Sequence, residues 1–161
     1  MINLLYLANP RFGGWVSFTS ILSQVYDTNI IKIKSKTELK KGLPKYRDFG
    51  YNTKYRNMSI EDINKLGNNF IITAIDKSGH QYLDQLDLSK TTIIIHDPTE
   101  LKKDLLKYLN KMTVITIRKN VSDYLLSKDI PNKLLNHPYI RKNSDSFNLN
   151  KEGAVSISRI D

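Results

Sequence analysis

The chain has 161 residues, 40% of them hydrophobic, no cysteine, and a formal net charge of +9. That is one domain with a real core rather than a disordered chain, and it excludes a disulfide scaffold and a thiolate metal site. The longest apolar runs are about 4–5 residues, far short of the ~20 that cross a bilayer, and Met1 to Leu7 has no signal-peptide features, so a cytoplasmic protein is expected.

Met1 to Ala8 reads as a strand, apolar nearly throughout, as in a parallel sheet covered on both faces. Asn9-Pro10-Arg11-Phe12-Gly13-Gly14 breaks it. Phe18, Ile21, Leu22 and Val25 then recur at helical spacing. Asn29 to Ile33 gives a second short strand. Residues 35–57, with Gly42, Pro44, Gly50 and many lysines, read as a long loop, with or without a short helix.

Ser59-Ile60-Glu61-Asp62 resembles a capping box. Ile60, Ile63 and Leu66 follow on one face, and Gly67 is a stop signal. Asn69 to Ile75 is strand-like, and Gln81 to Leu88 reads as a short helix. Thr91 to Ile95 is the clearest buried strand, being entirely β-branched. Asp97-Pro98-Thr99-Glu100 is a helix start: Asp as cap, Pro first, Glu three residues after the cap. Leu101, Leu105, Tyr108, Leu109 and Met112 make its apolar face. Thr113 to Ile117 is another strand, and Val121, Tyr124 and Leu125 lie on a helix that ends before Pro131.

Strand and helix alternate several times, which predicts an α/β fold with a mostly parallel sheet and helices on both faces. Residues 1–140 form that domain in this reading. Residues 141–152 are polar and read as a linker. Residues 153–161 then look like a new strand, either the first of a further domain, with the chain truncated, or an added edge strand of the same sheet.

Ligands of open α/β sheets bind outside the carboxyl ends of the strands. Three candidates lie at such ends. In the first loop, Gly13, Gly14 and Trp15 precede a helix, where backbone meets an anion closely; a tight turn explains the glycines equally. His96 ends the buried strand and suits orienting a sugar hydroxyl or the reacting groups by hydrogen bonding, whereas Asp97 has a helix cap as its plainer role. Arg118 and Lys119 end the next strand and suit a phosphate or polar acceptor, or are surface charge. His80 is a weaker candidate, and His137-Pro138 reads as a structural turn. No zinc-like histidine spacing and no Gly-Lys-Ser/Thr phosphate loop is present.

The lysines are scattered, densest at Lys32, Lys34, Lys36, Lys40 and Lys41. A basic domain suits nucleic acid; a compositional bias gives the same excess.

The order of these pieces resembles a known family. It runs through the Gly-Gly loop, the strand ending in His96, Val114-Ile115-Thr116-Ile117-Arg118-Lys119-Asn120-Val121, and Ile130-Pro131-Asn132-Lys133-Leu134-Leu135-Asn136-His137-Pro138. It is similar to the Rossmann-like, acceptor-side domain of retaining GT-B glycosyltransferases of the glycogen-synthase-like superfamily. There a Gly-Ile-Pro turn leads into the last strand; here Asp129-Ile130-Pro131 stands in its place. Val155-Ser156-Ile157-Ser158-Arg159-Ile160 is similar to the Val-Gly-Arg-Leu strand that opens the family's donor domain, with Ser158 replacing glycine.

The resemblance implies transfer of a sugar from a nucleotide-diphosphate donor to an acceptor hydroxyl, with retention and with no metal or other cofactor. It implies acceptor contacts from Gly13, Gly14 and Trp15, His96 near the reacting centre, and Arg159 on the donor diphosphate; Arg118 and Lys119, from their place at a strand end, are added as acceptor-binding candidates. The partner would be a carboxy-terminal donor domain or a separate subunit, without which the chain would be inactive. By analogy, the basic charge would suit a phage-type DNA glucosyltransferase. The alternative is a stand-alone binding or regulatory α/β domain without enzyme activity, with or without nucleic acid as its partner.

Overall fold

Runs of isoleucine and valine form the sheet interior because β-branched side chains fit a pleated surface packed on both faces. The computed structural model describes residues 1–8, 14–33 and 53–138. Its strands are β1 (Ile2–Leu7), β2 (Thr28–Ile33), β3 (Thr53–Met58), β4 (Ile71–Ile75), β5 (Thr92–Ile95), β6 (Thr113–Thr116) and β7 (Lys133–Leu134). They form one 7-stranded sheet in the order β3-β2-β1-β4-β5-β6-β7. Every pairing is parallel.

The chain winds outward from β1 to β3, returns to place β4 beside β1, and then winds outward the other way. This is the doubly wound, Rossmann-like order, and its switch point lies between β1 and β4. The expected α/β class holds.

Helices cover both faces. α1 (Gly14–Ser23) lies on one, where Trp15, Val16 and Leu22 pack on Leu4, Tyr6, Ala8 and Ala74. α2 (Ile60–Lys65), α3 (Lys103–Leu109) and α4 (Lys119–Leu126) lie on the other. There Ile63, Leu105, Leu109, Val121 and Leu125 meet Leu5, Leu7, Ile72, Ile93 and Ile95. Successive residues of β1 thus point to opposite cores, as the period of two requires. Each fully buried side chain of this size contributes roughly 1.5–3 kcal/mol.

Local signals act as expected at α2. Ser59 accepts a hydrogen bond from the Asp62 amide at 3.1 Å, and Glu61 and Asp62 face the positive helix end. Gly67, at φ +58, ends the turn in a conformation that glycine adopts without strain.

Four expectations need correction. The segment read as loop through residue 57 contains β3; its sequence Thr-Lys-Tyr-Arg-Asn-Met is polar because it forms an exposed edge. Val25 lies beyond the end of α1 and is exposed. Gln81 to Leu88 is not one helix but two 3-10 turns, His80–Gln85 and Leu88–Lys90. Asp97 caps only a 3-10 turn, Pro98–Glu100, accepting from the Thr99 amide at 3.0 Å; α3 starts later, at Lys103.

Among the described residues no helix is long and apolar enough to cross a membrane. The expected linker and final strand, with Gly13 and Arg159, lie outside the described residues.

Candidate functional site

The carboxyl ends of β1, β4 and β5 converge at the switch point. The turn after β4 presses against β1. A Cβ on Gly79 would fall 2.0 Å from the Leu7 carbonyl oxygen, so this backbone approach admits no side chain. Asp76 shapes the turn, accepting from the Ser78 amide at 2.8 Å and the Gly79 amide at 3.2 Å. A Cβ on Gly14 would meet none of the described atoms within 4 Å. Close approach therefore marks Gly79, which sequence reasoning passed over.

Glu100 is the centre of the site. It ends the 3-10 turn after β5 and is 6% exposed. Its Oε1 accepts from Trp15 Nε1 at 2.9 Å, and its Oε2 accepts from the His96 amide at 3.2 Å. One carboxyl thus ties the first turn of α1 to the end of β5. Burial pushes Glu100 up to about 8, overcoming the two N–H donors, which favour the charged form. Glu100 also lines a cleft of about 170 Å³ with Trp15, Ile75, Asp76, Lys77, Thr99 and Lys102.

His96 follows β5 and is 3% exposed. Its Nε2 lies 3.0 Å from Thr73 Oγ1. Its Nδ1 is buried and has no hydrogen-bond partner among the described residues. The ring of Phe18 meets it edge-on, with centroids 4.9 Å apart. Burial, and after it His137, hold the imidazole down at about 4, against the Thr73 hydrogen bond; Arg118 adds to the lowering. At neutral pH the ring is uncharged. When Nε2 donates to Thr73, Nδ1 offers a lone pair; in the other tautomer it offers an N–H.

Other expected residues divide. Arg118, at the end of β6, reaches back to Asp97 with 3.3 Å between Nη1 and Oδ2, so it joins the β5 edge. Lys119 does not; it pairs with Asp123 at 2.7 Å on the exposed side of α4. His137 comes to the site although its sequence suggested only a turn, its ring centroid 5.9 Å from that of Phe18. His80, the residue after Gly79, is buried. Neither of its ring nitrogens has a partner among the described residues, and burial lowers its basicity while Asp104 and Asp76 oppose.

Among the described residues no group of three or more His, Asp or Glu is placed to hold a metal ion. No family model, no curated protein and no solved structure matches the chain.

Proposed function

We propose that the chain is the acceptor-side half of a glycosyltransferase, moving a sugar from a nucleotide-diphosphate donor to an acceptor hydroxyl. The observation that carries this reading is His96: a buried, uncharged imidazole at the carboxyl end of β5, with Nδ1 unpartnered among the described residues. A buried polar atom without a partner is costly, and a sugar hydroxyl supplies either half of the missing hydrogen bond. Trp15 and Glu100 beside it form the acceptor side, and Arg118 is the nearby cation.

Asp129 supports the same reading. It adopts φ 55, the left-handed conformation that glycine favours, at the place where the similar family has the glycine of its Gly-Ile-Pro turn. Ile130 behind it is buried, and β7 follows at once. Arg159 would contact the donor diphosphate, and a donor-binding domain or subunit would complete the enzyme.

The test is release of nucleoside diphosphate from a panel of nucleotide sugars by the gene product together with its donor-binding domain or subunit, with simple sugars, polyols and DNA as acceptors. Release above the uncatalysed rate supports the reading; none with any pair overturns it.

A second reading, contact with nucleic acid, has its own observation. Lys103, Lys107 and Lys111 recur at helical spacing along α3 and its end, and all three are exposed. Such a stripe suits a phosphate backbone.

A further inference from the structure

The cleft beside Trp15 has features that the transfer reaction does not by itself require. Its volume of about 170 Å³ is below the roughly 300–1,000 Å³ of pockets that engulf drug-sized ligands. It therefore suits one ring, not a chain of them. Its lining residues include the aromatic Trp15, the acids Asp76 and Glu100, the hydroxyl-bearing Thr99, and the lysines Lys77 and Lys102.

We propose that this cleft binds a single neutral ring bearing hydroxyl groups, a monosaccharide unit, with Glu100 as the residue that selects it. The inference deepens the proposed function by naming the acceptor class, and it rests on that reading for the ligand's role as acceptor.

The indole is fixed before any ligand arrives. Trp15 packs on the Leu4–Tyr6–Ala8 cluster and is tethered through Nε1 to Glu100. A fixed aromatic face costs little ordering on binding and suits the apolar C–H face of a sugar ring. Glu100 uses one acceptor position on each oxygen for Trp15 and His96. The ionised carboxyl has a second on each oxygen, and the protonated one has an O–H donor in place of one of them; either suits a hydroxyl.

Asp76 offsets one of the two lysines, so the net charge of the cleft is small and a neutral ligand fits it. With Glu100 protonated the balance leans positive by one, which makes phosphate the competing ligand to test. Near neutrality that carboxyl keeps its proton, being pushed up to about 8 by burial. A hydroxyl both donates and accepts, so it is matched in either state of Glu100.

Trp15 is the chain's one tryptophan, so intrinsic fluorescence reads this cleft directly. The gene product is titrated with glucose, galactose, mannose, N-acetylglucosamine and inositol, and separately with inorganic phosphate, and binding is checked by calorimetry. The expected result is a saturable change with at least one sugar, weakened at least tenfold in Glu100→Ala, and none with phosphate. Thr99→Val keeps both Glu100 bonds and the Thr99 amide cap, and should weaken the same sugar several-fold, so the test stands even where Glu100→Ala does not fold. No saturable sugar binding by either method, or tight phosphate binding that depends on Glu100, overturns the inference. Sugar binding without any consumption of nucleotide sugar keeps this site and removes the transfer reading. Transfer without sugar binding does the reverse.

Discussion

Trp15 and Glu100, 85 positions apart in sequence, are joined by a 2.9 Å hydrogen bond from the indole N–H to the carboxyl. The bond links the first helix of the chain to the far side of the switch point, and its acceptor is almost wholly buried. The proton on Glu100 therefore bears on stability as well as on the cleft.

Glu100 ionises near its ordinary 4.5 in the unfolded chain and at about 8 in the folded one. Between those values the folded state keeps a proton that the unfolded state has lost, so stability falls as pH rises. His96 acts in the opposite sense at lower pH. Its folded value of about 4 lies below the ordinary 6.5, so stability rises with pH between them, and His80 adds in the same direction. Above about 6.5, Glu100 is the group among the described residues whose shift governs this change. Wild type is expected to lose roughly 2 kcal/mol between about pH 6.5 and 8.5. Glu100→Gln should lose none of this part. Urea midpoints at the two pH values check it; equal losses in both proteins would contradict the assignment.

Gly79 tests the switch-point geometry. Its backbone, at φ −80 and ψ −20, is open to any residue, so conformation does not demand glycine. The Leu7 carbonyl oxygen does, because it lies 2.0 Å from where an added Cβ would stand. Gly79→Ala must move β1 or the turn, at a cost of about 3 kcal/mol or more. A denaturation midpoint within error of wild type would show that the turn does not press on β1.

Asp129 tests the turn before β7. A side chain at φ 55 costs about 1–2 kcal/mol in the left-handed region, less for Asp than for branched residues. Asp129→Gly should be stabilising by up to about 1 kcal/mol, after the greater freedom that glycine gives the unfolded chain. Asp129→Val should lose about 1–2 kcal/mol. The order Gly, Asp, Val in urea midpoints is the expected outcome, and Val equal to Asp would remove the strain argument.

The lysine stripe on α3 yields a salt test. If it meets a nucleic acid, log K for duplex binding should fall linearly with log salt, and replacing Lys103, Lys107 and Lys111 by alanine should reduce the slope by about 2–3. A slope unchanged in the triple variant would assign that face to solvent.

Much of the fold was legible because buried parallel strands have a simple signature. Ile93, Ile94 and Ile95 leave no alternative to an interior strand, and Ser59 with Gly67 brackets α2. The edge strand β3 was not legible, since an exposed strand such as Thr53–Met58 carries no apolar run. At the site, His96 could be found because strand carboxyl ends concentrate ligands. Glu100 could not, because a glutamate three residues after Asp97 already has a sufficient explanation as a helix-start residue. Only the fold brings it to Trp15. Gly79 was hidden for a related reason: its constraint is the Leu7 carbonyl, a partner far away in sequence.

The most direct test of the central claim compares wild type with His96→Ala in steady-state transfer of a labelled sugar from its nucleotide donor. The account predicts measurable transfer by wild type together with its donor-binding domain or subunit, and a kcat lower by about 100-fold or more in the variant, measured where urea titration shows both proteins folded. Transfer by His96→Ala at the wild-type rate would contradict it.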